Sequence, residues 1–473
     1  CKPVAAIIAL GDMGVAPAST ILTIALEKSD IPSVLLTAHP GTTLAKATAF
    51  YRAGKLCLCH LDLHQYSTET EIRDQIDQLI PAILESITLN PTRTDELSSL
   101  DFELDGDDSN DGFLLLGQGA LGAGVNITDA QEVTGIFNSI HIGDGLPVIP
   151  PTHERYQHML SYCSYEPETV IAEKIGPSGQ DICVRDIAVN AVLAGCQPRH
   201  MPILLTIFQA LADPGYNFLQ AVSTAHPGGD MVLLSGPLAH ELGITGGPGC
   251  FGPGFPANAC IGRTVKMVQI NVCRAIPGIS DLAGLSSPAE FSFCFAEESG
   301  VSPWPLIHEE RDNEKTTVAY VLKAEPPHDV VDLLSQSADE LLVTVVDSCT
   351  TLGSNNAYLP GPLVLVLTPD HAEILAHDGW DKQKIREYLH VHVHHTPAQL
   401  ENRGIVPVRP DKSPDTDTIP VTRSPADIEI VVAGARGGHS AVILPWALHS
   451  EAIVRPILLP NGKIPNSIED FRN

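Results

Sequence analysis

Basic residues are scarce in this 473-residue chain: 28 Lys and Arg stand against 57 Asp and Glu, a formal net charge of −29. A field of that sign repels phosphate backbones and anionic lipid, and no local basic patch offsets it, so nucleic acid and membrane surfaces are not expected partners. Long apolar runs are also missing. The longest, MPILLTIFQALA at 201–212, is too short to span a bilayer, and no charged-then-apolar leader precedes the first strand. No repeat of fixed period is present, which argues against a solenoid. Aromatics are few at 5%, while Gly and Pro each number 38, a mixture that suggests tight turns between small-residue elements. The 11 cysteines lack the spacing of a disulfide framework and sit mostly in apolar runs, so reduced thiols in a soluble, cytoplasmic protein are expected. The chain begins at Cys1 rather than Met, which reads more simply as a trimmed start than as a processed amino-terminal nucleophile.

What is present is an alternation of apolar runs and helical spacing. VAAIIAL at 4–10, SVLLTA at 33–38 and LCLCHL at 56–61 read as buried strands, with helices following each, the last from about 68 to 87. That order predicts a small three-layer α/β domain with parallel strands over residues 1–88. Residues 89–112 form an acidic linker; between 90 and 111 eight carboxylates face the single Arg93. Residues 113–473 read as a larger α/β domain in which helices and Gly-rich loops alternate. Within it, IEIVVAGARGGHSAVILPW at 428–446 reads as strand, glycine turn and extended run, and 404–425 as an extended surface connection.

GDMGVAPAS followed by a helix and IPSVLLTAHP resembles the UGSC-like family, whose pattern runs Gly-Asp, selenocysteine or cysteine, then Gly-Ser-Cys. Gly11, Asp12 and Gly14 fit, but Met13 and Ala16 stand where the family places its redox groups, and neither can form a thiolate. Further pieces resemble the family's larger partner domain: DGLPVIPPT at 144–152, VNAVLAGCQPRHMP at 189–202, GPLAHELGITGGPGCFGPGFPANACIGR at 236–263, SFCFAEESGVSPWPLIHEER at 292–311, TLGSNNA at 351–357 and AGARGGHS at 433–440. The resemblance implies a thiol-redox ancestry, with that activity lost from the small domain and the active site in the large one.

The residues themselves nominate several groups. In the small domain, the loop 11–19 with Ser19 or Thr20 as a cap is either an anion cradle or a plain turn. Gly243, Gly246, Gly247, Gly249, Gly252 and Gly254 exceed what a turn needs, so either a ligand or a crossing chain approaches closely there. Asn258 and Arg263 follow with the amide and cation that a carboxylate or phosphate takes up. Cys196, beside Arg199 and His200, and Cys294, in one segment with Glu297 and His308, are candidate thiols with acid–base partners. The competing reading, a small buried hydrophobe, covers Cys163, Cys183 and Cys273. His390, His392 and His394 alternate, and on a strand would turn three imidazoles to one face as in zinc or copper sites. Alternatively they continue the helix of DKQKIREYLH, whose polar side carries Lys382 and Arg386, so a transition metal is not the favoured cofactor. Asn355, Asn356, His439 and Ser440 suit a pocket rim, and Asp144 either a rim or a turn.

Three functions are therefore expected in turn. The first is an enzyme acting on a small organic substrate by thiol-dependent redox or sulfur-linked chemistry, an oxidoreductase, transferase or lyase, with Cys294 or Cys196 as the thiol and His308 for proton transfer. The second is a metal-dependent lyase or hydrolase. The third is a noncatalytic binding or scaffold subunit. Cofactor, substrate and homo-oligomeric state stay open at this level.

Overall fold

The computed structural model describes residues 5–9, 16–29, 31–38, 41–51, 56–63, 67–88, 134, 137, 142–311, 316–357, 359–401, 418–447 and 450–472. Met13, the linker 89–112 and the boundary at 113 lie outside them, as does most of the connection at 404–425.

The N-terminal part is built as its apolar runs dictate. β1 (Ala6–Ala9), β2 (Ser33–Ala38) and β3 (Leu58–Leu61) lie in that order in one sheet, with both pairs parallel. The crossovers that parallel strands require are α1 (Ala16–Glu27) and α2 (Gly41–Tyr51), and α3 (Glu69–Thr88) follows the last strand. Helix α1 starts at Ala16, so Ser19 and Thr20 lie inside its first turns rather than at a cap; Ser19 uses its carbonyl to accept the Thr23 hydroxyl.

The larger region follows with α4 (Val184–Ala194), α5 (Met201–Leu211), β4 (Gly229–Ser235), α6 (Pro256–Asn271), β5 (Cys294–Ala296), β6 (Val318–Ala324), β7 (His328–Val331), α7 (Ala338–Cys349), β8 (Leu363–Leu367), α8 (Pro369–His377), α9 (Lys382–His392), β9 (Ile428–Val432), β10 (His439–Ile443) and β11 (Ile453–Pro456). Two four-stranded mixed sheets result, ordered β11-β6-β4-β5 and β9-β8-β10-β7. In the first, β4 and β5 are parallel; in the second, β8 and β9 are.

Alternation along the strands then sets the layers. Met231 and Leu233 of β4, Phe295 of β5 and Tyr320 of β6 pack against Val364 and Val366 of β8, Val431 of β9 and Ile443 of β10, so the two sheets share one core. The intervening residues Val232, Leu234, Cys294 and Val321 face α4, α5 and α6. On the far side Leu365, Leu367 and Ile430 face α7, α8 and α9. The order is helices, sheet, sheet, helices. With both faces of each sheet covered, β4, β6, β8 and β9 are buried along their whole length, which is why they are apolar at most positions, with Asp230, Lys323 and Glu429 as buried charges among them. The same covering buries all three residues of β5. Helix α5 is buried nearly all round, matching its unbroken apolar run. Among the described residues, no helix is long and apolar enough to cross a membrane.

Candidate functional site

Helix α6 begins with Pro256 at its first turn and carries Arg263, Lys266 and Ile270 three and four residues apart, hence on one face. That face looks onto a cleft of about 480 Å³, walled by Ile142, Gly143, Asp144 and Gly145 on one side and by Ile276, Pro277, Ser286, Ser287, Glu290 and Phe291 on the other, with Lys266 and Ile270 between. The 143–145 wall depends on glycine: φ is +97° at Gly143 and +84° at Gly145, which side-chain-bearing residues seldom adopt. Asn271 at the end of α6 fixes this wall, its Oδ1 accepting the Gly143 N–H at 2.8 Å.

The charges around the cleft are paired. Arg263 grips Asp144 with two bonds, Nε to Oδ2 at 2.6 Å and Nη2 to Oδ1 at 2.8 Å, and also donates to the Pro147 carbonyl at 2.9 Å. Lys266, 8% exposed, donates from Nζ to Asp281 Oδ2 at 2.8 Å and to Glu290 Oε2 at 2.5 Å. Burial opposes its charge, but Asp281 and then Glu290 more than offset that and hold the ammonium well above its ordinary pKa. Lys266 is therefore a fixed cation and not a nucleophilic amine. Ser287 precedes a short turn of helix (Pro288–Glu290) without capping it, and its buried Oγ has no hydrogen-bond partner among the described residues. An unpaired buried hydroxyl is costly unless something fills its bonds.

A second polar cluster sits at the carboxyl ends of the parallel strands. Ser235, the last residue of β4, donates from Oγ to Glu297 Oε2 at 2.6 Å and stands 2.9 Å from His308 Nδ1. With the Ser235 proton on Glu297, His308 must supply the proton of the second bond, which leaves Nε2 as the imidazole's free lone pair. Burial, and after it the Lys382 charge, pulls the His308 pKa down against the opposing Glu309. Glu297 is buried, which raises its pKa, and Lys382 from α9 stands 3.5 Å from its Oε1 in opposition. Lys382 also meets Glu310 at 3.2 Å, and Arg386 joins Glu310 to Glu429, each at 2.9 Å. The side of α9 that reads as solvent-facing is thus turned inward as an ion network.

The sequence-nominated residues divide between these places and the packed interior. Glu297 and His308 come together. Gly246 joins them as packing: a Cβ there would stand 2.3 Å from the Ala296 carbonyl oxygen. Gly247 lies beside Glu298, and Gly249 and Gly252 close a turn by the Gly252 N–H to Gly249 carbonyl bond at 2.7 Å. Asn258 staples this loop, exchanging bonds with Thr245 N–H at 2.9 Å and carbonyl at 3.0 Å and reaching the Cys250 carbonyl at 3.2 Å. The amide and the Arg263 guanidinium are thus both engaged inside the protein.

Cys294 and Cys196 are buried in the core on the helix side of β5. Burial pushes the Cys294 thiol up to about 12 and raises Cys196 further, although Cys196 has the Thr264 hydroxyl at 3.3 Å. Iodoacetamide at pH 8 is accordingly expected to label both at least about 100-fold more slowly in native than in urea-unfolded protein, since thiolate loss alone accounts for about a thousandfold. Peptide mapping by mass spectrometry reads the two rates, and equal rates contradict the burial argument.

Asn355 donates to the Trp446 carbonyl at 2.9 Å, while the Asn356 amide is buried with neither atom partnered among the described residues. Ser440 is buried and holds His371 Nδ1 at 2.7 Å and the Thr368 N–H at 3.0 Å. His439 is exposed and pairs with Asp329 at 3.1 Å. The His390, His392 and His394 face does not form, because the first two belong to α9, two residues apart on a helix, and only the third lies beyond it. His390 meets Thr422 Oγ1 at 2.8 Å, His392 packs on Tyr388, and His394 meets the Val391 carbonyl at 3.0 Å. No group of three metal-ligating side chains occurs among the described residues.

Sequence reasoning missed Lys266, Ser287, Glu290, Ser235 and Lys382. One signal was available: Lys266 is a lone charge in the apolar run TVKMVQI, where a buried ammonium needs acids brought from elsewhere. Comparison with protein-family models, with curated proteins and with solved structures finds no match.

Proposed function

We propose that the chain binds a small organic molecule in the cleft between the 143–145 wall, α6 and the 276–291 segment. The observation that carries this reading is the unpaired Ser287 hydroxyl in a cavity of about 480 Å³ that joins apolar walls to a few polar groups, the size and composition of a small-molecule site. The charged groups there, Asp144, Lys266 and Glu290, are held in ion pairs, so the cleft is built for recognition. The UGSC resemblance of the sequence enters the same proposal as its ancestry, and a cytoplasmic location goes with it, supported by ten described cysteines that are all free.

A small-molecule library screened by equilibrium binding against the native chain and Phe291→Ala tests the reading. Phe291 lines the cleft and is 49% exposed, so its loss spares the fold. Ligands are expected to weaken by about 5- to 30-fold, the worth of one aromatic wall. A screen with no ligand, or ligands indifferent to Phe291→Ala, counts against the cleft.

Catalysis is the second reading, and the observation favouring it is the Glu297–Ser235–His308 chain, which presents His308 Nε2 as a base. Thiol chemistry at Cys294 or Cys196 belongs to this reading too, against the burial that raises both thiols above their ordinary pKa. A metal-dependent lyase or hydrolase would have to draw its ligands from histidines that lie apart.

A further inference from the structure

We infer that the ligand of the cleft carries a protonated amine on an apolar body, recognised by the Glu290 carboxylate and the Ser287 hydroxyl. The inference rests on the cleft being the binding site and adds the class of molecule it takes.

Charge decides the class. The lining residues Asp144, Lys266 and Glu290, with their partners Arg263 and Asp281, amount to three carboxylates and two cations. An anionic ligand would meet both cations already satisfied, Arg263 by Asp144 and Lys266 by two acids at once, and would add a fourth negative charge to a partly desolvated space. A cationic ligand balances the set. The contact points exist: one Glu290 oxygen takes Lys266, the other makes no hydrogen bond among the described residues, and Ser287 Oγ is a neutral acceptor with none. An ammonium has three donors and so fits two acceptors that lack partners. Lys266 does not bar it, because that ammonium is already shared between two carboxylates. At longer range the net charge of −29 draws cations toward the protein.

The apolar body follows from the walls. Ile142, Ile270, Ile276 and Pro277 present no polar side-chain atom, and Phe291 and the neighbouring Leu285, 95% exposed, stand at the same segment with apolar surface left to cover.

The test is a titration of the native chain, isoleucine δ1-methyls labelled, with 3-phenylpropylamine, 3-phenylpropanol and 3-phenylpropionate, followed by methyl NMR. Shifts confined to Ile142, Ile270 and Ile276 are expected. The amine should bind at least about tenfold more tightly than the alcohol or the acid, and Glu290→Gln, which leaves Lys266 its Asp281 partner, should abolish that preference. Equal or tighter binding of the acid or alcohol at these methyls overturns the amine assignment and leaves the cleft standing. An amine preference that survives Glu290→Gln overturns the assignment to Glu290. Absence of shifts with all three compounds sinks the cleft as a site, and the inference with it.

Discussion

Lys266→Met is expected to cost about 3–5 kcal/mol of folding stability, the penalty for leaving buried charge without its partner. The methionine keeps the length and packing of the aliphatic stem, so the loss falls on Asp281 and Glu290, whose side chains are 8% and 9% exposed and would face each other uncompensated. The triple variant Lys266→Met, Asp281→Asn, Glu290→Gln should recover most of that loss, because a neutral set asks for no counter-charge. Urea unfolding midpoints of the three proteins decide the matter. A single-variant loss below about 1 kcal/mol would put the cluster on the footing of a solvent-screened surface pair.

The second large effect is expected at Gly246. An added methyl would lie 2.3 Å from the Ala296 carbonyl oxygen and 2.9 Å from two backbone carbonyl carbons, atoms that cannot swing aside as a side-chain end does. Gly246→Ala should therefore cost about 3 kcal/mol or more, at the upper end of overpacking losses. Gly252→Ala meets nothing nearer than the Gly249 carbonyl oxygen at 3.4 Å and should cost less than about 1 kcal/mol. The contrast separates two explanations for a glycine-rich loop. If crossing chains demand the glycine, stability falls at 246 alone; if a ligand demands it, binding suffers at both positions while stability holds. Calorimetric melting of the two variants measures the difference.

The strands were legible because burial on both faces leaves a plain trace. β8 is an unbroken apolar run, β2 and β9 are apolar apart from Ser33, Thr37 and Glu429, and α3 shows its helical spacing without help from partners. Helix ends were readable where local chemistry sets them, as at Gly195 after α4, which closes it with φ +89°. The cleft and the polar cluster were not legible, since their contacts span long stretches of chain. Lys266 finds acids 15 and 24 positions on, Ser235 finds His308 73 positions on, and Arg263 finds Asp144 119 positions back. No periodicity records such meetings. The histidine run follows its helical reading: HVHVHH has strand-like spacing, yet helix α9 extends through His392, its start fixed by Asp381 accepting the Lys384 N–H at 2.7 Å. Local initiation outweighed the alternation.

The Glu297–Lys382 contact has a consequence for how this architecture could be divided. Its carboxylate belongs to the strand end of one sheet and its ammonium to the helix layer behind the other, while the backbone crosses the same seam through Glu298 N–H to the Val432 carbonyl at 2.9 Å and Gly434 N–H to the Gly246 carbonyl at 2.7 Å. Neither half could be excised as a self-sufficient module, for a cut along the seam strips a counter-ion and a ladder rung from each side together. Recombination within this region would have to carry both sheets as one heritable unit.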